Sequence, residues 1–247
     1  MKIEVILTPA ELPALSQRDL GGTACVVFDV LRATSAFVTA LRNGAAAIVP
    51  ACEISEALEI RKQRPEVLLG GERHGVKIRV DGRDFDFGNS PREYLPEKVK
   101  GKTIVSTTTN GTRALRACAR ATMVLAGAFL NLAATAKFLR DKNFEEIVIV
   151  CAGTRENAAL EDILAAGALS AILSNGKTNV MLSDSAQTAL AAFEYAKRDL
   201  PGAVCKSENA VRLLSIPELR DDVAFCLQRD AFNFVAAMEG DSVRILK

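Results

Sequence analysis

The sequence predicts an α/β fold, a layered domain built on a mainly parallel sheet. Two observations lead there. Short apolar runs recur through the first two-thirds of the chain, and each gives way to a polar loop and then to helical periodicity. Apolar residues make up 49% of the 247, enough to bury a large core.

Residues 2–7 alternate as a strand, and 24–28 form the continuous apolar run expected of a strand buried on both faces. Asp29 to Ala33 then opens an amphipathic helix that runs to about Arg42. A strand at 46–49 leads to a helix over Ile54–Gln63 and another strand at 67–70. The rhythm continues with 104–107 before a helix at 112–119, and 123–126 before a helix at 130–142. Residues 147–151 precede a long helix over 158–175. Residues 71–101 break the pattern. They are rich in Gly, Asp and Arg, contain Pro91 and Pro96, and carry enough aromatics to read as a long ordered excursion. The remainder, 184–247, reads as mostly helical (184–198, 208–214 and 221–228) with a last short strand at 242–246. With no repeat and no low-complexity tract, residues 1–247 are expected to form one domain.

A net charge of +1 gives no overall field to attract nucleic acid or a membrane surface, and the absence of Trp removes the best base-stacking side chain. The six cysteines lie scattered in apolar stretches without a C-x-x-C pair, which predicts reduced, buried thiols. The charged opening Met1-Lys-Ile-Glu-Val-Ile-Leu7 is no signal peptide, and every apolar run is too short to span a bilayer. A soluble, cytoplasmic protein is expected.

Several phosphate chemistries are excluded by inspection. There is no P-loop and no G-x-G-x-x-G after a strand. Arg73-His-Gly75 contains the only histidine, whereas a histidine phosphatase needs two. The residues six positions after the cysteines are Leu31, Leu58, Val124, Asn157, Val211 and Phe232, so no cysteine-phosphatase loop exists. Asp29-Val-Leu31 lacks the second acid of a D-x-D motif. Carboxylates, a divalent cation and arginine or backbone clamps remain. A Mg²⁺ site of hard oxygen ligands would suit a phosphate ester.

Four polar clusters close apolar runs, where parallel strands would bring them to one edge. Asp29 ends the first. It could merely cap the following helix, but Arg32 lies three residues on and can fork onto oxyanions. Gly70-Gly-Glu72-Arg73 ends another run and would bring Glu72 to the same edge. Thr107-Thr-Thr-Asn-Gly-Thr112 holds more hydroxyls than one helix cap requires, and with Thr108, Thr109, Asn110, Gly111 and Thr112 it suggests an anion cradle. The stretch after Cys151 offers Arg155, then Glu161 and Asp162, with two readings for the acids: one completes a metal site, or both simply complement a helix dipole. Phe85-Asp-Phe-Gly-Asn-Ser-Pro91 adds Asn89 and Ser90, as a turn or as part of the site.

These same stretches resemble a known family. Phe28-Asp-Val-Leu-Arg-Ala-Thr-Ser35, Gly71-Glu-Arg73, Phe85-Asp-Phe-Gly-Asn-Ser-Pro91, Thr107-Thr-Thr-Asn-Gly-Thr-Arg-Ala114 and Cys151-Ala-Gly with Leu160-Glu-Asp162 are similar to 2-phosphosulfolactate phosphatases, the ComB family. The likeness extends through Ser207-Glu-Asn-Ala210 and Asp222-Val223, so it covers nearly the whole chain. It implies a three-layer α/β/α fold, a homodimer, and Mg²⁺-dependent hydrolysis of 2-phospho-3-sulfolactate to 3-sulfolactate and phosphate, a step of coenzyme M biosynthesis or sulfolactate metabolism.

The expected site has Mg²⁺ on Asp29, Glu72 and one of Glu161 or Asp162. Asp29, Arg32, Glu72 and Asn110 would act on the phosphoryl group. Thr108, Thr109, Gly111 and Thr112 would cradle it, with Asn89 and Ser90 beside them. Arg73, Arg113 and Arg155 are candidates for the substrate's carboxylate and sulfonate. The rival expectations are hydrolysis of another small phosphorylated acid, or an anion-binding protein without turnover. A mere anion receptor, however, gains nothing from Asp29 and Glu72 beside a negative ligand.

Overall fold

The computed structural model describes residues 1–176 and 179–246. The first half of the chain alternates as expected. Strand β1 (Lys2–Ile6) and helix α1 (Leu12–Gln17) precede β2 (Thr23–Phe28) and α2 (Ala33–Arg42). Strand β3 (Ala47–Pro50), helix α3 (Ile54–Gln63) and strand β4 (Leu68–Arg73) follow. The excursion holds three short strands, β5 (Val76–Lys77), β6 (Arg79–Val80) and β7 (Arg83–Asp84), and one helical turn, α4 (Pro96–Val99). Regular alternation resumes with β8 (Thr103–Thr107), α5 (Gly111–Ala117), β9 (Met123–Gly127), α6 (Leu132–Lys142), β10 (Glu146–Cys151) and α7 (Leu160–Ser174). The remainder contains β11 (Met181–Leu182), α8 (Asp184–Ala196), α9 (Leu200–Val204), α10 (Glu208–Leu214) and α11 (Arg220–Cys226). A hairpin closes it, β12 (Ala236–Glu239) and β13 (Ser242–Ile245).

Eleven strands form one mixed sheet in the order β11-β1-β10-β2-β9-β12-β13-β3-β8-β4-β5. On one side β1, β10, β2 and β9 pair in parallel, and on the other β3, β8 and β4 do the same. The hairpin sits between the two groups. β12 pairs antiparallel with β9 at Ala236–Ala126 and Ala237–Leu125, and β13 meets β3 antiparallel at Val243–Ile48. The expectation at 242–246 thus fell on half of this hairpin. Strand β12, short and alanine-rich, carries little β-propensity and gave no local signal.

Strand alternation sorts the core into layers around the sheet. Ala24, Val26 and Phe28 face α6, α7, α8 and the later helices, while Cys25 and Val27 face α1, α2 and α5. Beyond the hairpin, Val49, Leu69 and Val105 pack on Ala57 of α3, together with Ile78 and Phe85 from the excursion. Helices therefore cover both faces in a three-layer α/β/α arrangement. The excursion is anchored by buried aromatics: Phe87 stacks on Tyr94 with ring centroids 4.7 Å apart, and the Tyr94 hydroxyl donates to the Gly88 carbonyl at 2.9 Å. Among the described residues no helix is long and apolar enough to cross a membrane.

Candidate active site

Strand β2 is apolar through Phe28 and ends at Asp29, after which the chain turns before α2 begins at Ala33. The helix starts later than the periodicity predicts because 29–32 form this turn, which includes a cis Leu31–Arg32 peptide. The Thr34 hydroxyl holds it, accepting from the Asp29 amide and donating to the Asp29 carbonyl, both at 3.0 Å. Asp29 Oδ1 accepts from the Ala33 amide at 3.0 Å, so the carboxylate does cap α2. Its other oxygen lies against the start of α5: a Cβ at Gly111 would stand 2.6 Å from Asp29 Oδ2, so only glycine lets that backbone approach. Burial lifts the Asp29 carboxyl to about 7. The Ala33 amide opposes that rise, Glu72 and Glu161 add to it, and Arg32 pulls it back.

Glu72 reaches the same place from β4. Its Oε1 accepts from both the amide and the hydroxyl of Thr109 at 2.9 Å, and its Oε2 accepts from the Gly75 amide at 2.6 Å. His74 and Gly75 have φ of +56° and +82°, a tight turn that folds the Gly75 amide back onto the acid. Arg73, one residue on, points to the other face of the strand. Its guanidinium donates to the Glu72 carbonyl, the Cys52 carbonyl and the Thr107 hydroxyl.

Asn110 joins the loops after β8 and β10. Its Nδ2 donates to the Ala152 carbonyl at 2.7 Å and the Arg155 carbonyl at 2.9 Å. With the donor end fixed, Asn110 Oδ1 is the atom left buried without a partner. Thr108 and Thr112 instead satisfy one another. The Thr112 amide donates to the Thr108 hydroxyl at 3.2 Å, and the Thr112 hydroxyl donates to the Thr108 carbonyl at 3.1 Å. Here the bland capping interpretation prevails.

Arg32 is buried, and its guanidinium donates to Asp222 Oδ2 at 2.8 Å and to the Gly75 carbonyl at 3.0 Å. Ser90 donates to the other oxygen of Asp222 at 2.7 Å, so it holds the partner of Arg32.

One cleft gathers these groups. Asp29, Arg32, Glu72, Asn89, Thr109, Asn110 and Arg155 line it, as the sequence led one to expect. Arg73, Ser90, Thr108, Gly111, Thr112 and Arg113 do not, and Arg113 pairs with Glu156 at 3.3 Å on the surface. Of the two acids on α7, Asp162 is a clamp: its oxygens accept from the Val30 amide at 2.8 Å and the Gly153 amide at 3.0 Å, tying the ends of β2 and β10 together. Burial, Asp29 and Glu161 nevertheless push its carboxyl well above the usual range. Glu161 sits behind the lining, where Oε1 accepts from Asn209 Nδ2 at 2.7 Å and Oε2 is buried without a donor.

The lining also includes residues that sequence reasoning missed, namely His74, Gly75, Thr154, Asn209 and Arg212. Asn209 lies in the Ser207-Glu-Asn-Ala210 stretch that carries the resemblance, and Arg212, three residues on, shares its side of α10.

Among the described residues no three His, Cys, Asp or Glu side chains cluster closely enough to hold a metal ion by themselves. The four acids named from the sequence therefore do not form a cage. The donor set still fits Mg²⁺, which commonly takes one or two carboxylates with water and substrate phosphate. Asp29 and Glu72 share the cleft with Asn89 Oδ1 and Asn110 Oδ1, two buried oxygens that have no hydrogen-bond donor.

A cleft that gathers two acids, three arginines and polar amides suits a small acidic phosphate ligand, and the comparisons make the protein a phosphoric monoester hydrolase. Comparison with known proteins gives the family. The model of the 2-phosphosulpholactate phosphatase family matches residues 6–241, and the chain belongs to that family. It is 40% identical to a probable 2-phosphosulfolactate phosphatase of Caldanaerobacter subterraneus, covering 94% of each chain. Over 90% of this chain and 91% of the other, it is 44% identical to a probable 2-phosphosulfolactate phosphatase of Thermotoga maritima. One from Clostridium botulinum is 35% identical across 98% of this chain and 99% of its own.

Proposed function

We propose that the protein hydrolyses 2-phospho-3-sulfolactate to 3-sulfolactate and phosphate with the help of Mg²⁺. One observation carries this reading: Asp29, with a carboxyl raised to about 7, shares a cleft with Glu72 and three arginines. A substrate bearing phosphate, carboxylate and sulfonate calls for several cations in one small space, and Arg32, Arg155 and Arg212 supply them.

Asp29 and Glu72 would hold the ion, with the amide oxygens of Asn89 and Asn110 as further candidate donors and Glu161 behind them. When bound, Mg²⁺ neutralises charge on the phosphoryl oxygens. Arg32, fixed by Asp222, adds positive charge that needs no rearrangement during reaction. Thr109, whose amide and hydroxyl donate to Glu72 in this structure, would present the same two donors to a phosphoryl oxygen in the cleft. The metal-free Asp29 carboxyl, raised to about 7, would give up its proton on binding the ion. Water then attacks phosphorus as the bond to the sulfolactate oxygen breaks, and the proton that water loses ends on that oxygen. We further place the reaction in sulfolactate or coenzyme M metabolism, in a cytoplasmic homodimer.

Phosphate release from 2-phosphosulfolactate, measured with and without Mg²⁺ and repeated on Asp29→Ala, tests the reading. Mg²⁺-dependent release that the variant loses is the expected result. Release from other phosphoacids but not this one overturns the substrate, and no release from any overturns catalysis. Light scattering on the eluting protein checks the dimer.

A further inference from the structure

The three arginines of the cleft are not equivalent. Arg32 faces an acid, Asp222, at 2.8 Å, so much of its charge is already balanced. Arg212 is oriented differently. Its guanidinium donates to Asn209 Oδ1 at 2.9 Å, and among the described residues no carboxylate lies within ion-pairing distance of it. It also packs over Gly75, where a Cβ would stand 3.5 Å from its Cζ.

Asn209 is buried and its orientation is chemically enforced. Its Nδ2 donates to the Thr154 hydroxyl at 2.6 Å and to Glu161 Oε1 at 2.7 Å, which leaves only the carbonyl oxygen to face the arginine. A neutral amide thus aims Arg212 from behind without cancelling its charge. Arginine held this way keeps a full charge and its remaining donors for a ligand in the cleft.

We propose that Arg212 recognises a non-phosphate oxyanion of the substrate, its sulfonate or carboxylate, and that Asn209 is its positioning residue. This rests on the cleft being where a phosphorylated acid binds. Arg212 is an exposed residue of α10 that lines the cleft, whereas Asp29 and Arg32 are buried in it. The reacting phosphoryl group belongs with the buried pair, and the groups that do not react belong with Arg212.

Calorimetric binding of inorganic phosphate, 3-sulfolactate, lactate and isethionate to the full chain tests this, using wild type, Arg212→Ala, Arg212→Lys and Asn209→Ala. Arg212→Ala should weaken 3-sulfolactate by about tenfold, the worth of one charge-assisted contact, and leave phosphate within about twofold. Arg212→Lys should recover part of the loss, and Asn209→Ala should weaken 3-sulfolactate less than Arg212→Ala does. Isethionate weakening alone identifies the sulfonate as the group read, and lactate weakening alone identifies the carboxylate. Equal losses for phosphate and 3-sulfolactate, unchanged 3-sulfolactate binding, or no 3-sulfolactate binding to wild type each overturn the assignment. Unchanged binding by Asn209→Ala overturns its positioning role. In turnover, Arg212→Ala should raise KM for 2-phosphosulfolactate and spare kcat. A wild type that releases no phosphate from 2-phosphosulfolactate sinks the proposed reaction, while the binding series still decides the role of Arg212.

Discussion

Arg32 and Asp222 stand 190 residues apart in the chain and 2.8 Å apart in the fold, both buried. The pair ties the turn after β2 to helix α11, and Ser90 supports it from the excursion. Removing one member of such a pair leaves a buried charge without a counter-ion, at a cost of about 3–5 kcal/mol. Asp222→Ala should therefore lower the stability of the metal-free protein by that amount in urea titration. A loss below about 1 kcal/mol, the range of surface pairs, would contradict the arrangement.

Asp29 is the acid around which the cleft is built. Asp29→Asn keeps the size of the side chain and an oxygen for the Ala33 amide, so circular dichroism should be unchanged. Phosphate release should fall by about 10²-fold or more, because the ion would lose one of its two charged ligands. A variant retaining a third of wild-type turnover would remove Asp29 from the chemistry.

The raised carboxyl of Asp29 also has a signature in stability. Its ordinary value is 3.8 and its folded value about 7, so between the two the folded chain holds a proton that the unfolded chain has released. The stability Asp29 contributes is complete below 3.8 and declines as pH climbs towards 7. Without metal, the wild type should lose more stability from pH 4 to pH 7.5 than Asp29→Asn does. Parallel curves for the two proteins would show that Asp29 titrates normally.

Gly111 has no room for a side chain. A methyl group there would lie 2.6 Å from Asp29 Oδ2 and 2.7 Å from the Ala33 Cβ. Gly111→Ala should cost about 1–3 kcal/mol by overpacking and displace Asp29, reducing turnover further than stability alone explains. Thermal melts and phosphate release on the same preparation separate the two effects, and an unaltered protein would refute the close approach.

Much of the frame was legible in local pattern. The helices over Ile54–Gln63 and Glu208–Leu214 begin and end where their periodicity does. Asp29, Glu72, Thr109 and Asn110 were readable because each closes a strand, a position that sends loops to a shared edge. Glu72 and Arg73 could also have been told apart, since neighbours on a strand face opposite ways. Other features had no local sign. Glu161 and Asp162 are adjacent on α7, yet one meets Asn209 and the other two backbone amides, a choice made by tertiary packing. Asn209 and Asp222 lie in stretches that carry the family resemblance, but their partners Glu161 and Arg32, 48 and 190 residues away, are not readable from those stretches. The threonine loop divides, because a cap and an anion cradle use the same residue types: Thr109 and Asn110 line the cleft, while Thr108 and Thr112 bond each other.

The β12–β13 hairpin divides the strands that bear the cleft into two camps. Asp29 and Arg155 follow β2 and β10 on one flank, while Glu72 and Asn110 belong to β4 and β8 on the other. Residues 236–245 leave the ribosome after every other strand of the sheet. Helices α2 and α5 also bridge the flanks, but continuous hydrogen bonding across the sheet waits for these residues, so the two halves of the cleft are brought into register by the last strands to be made.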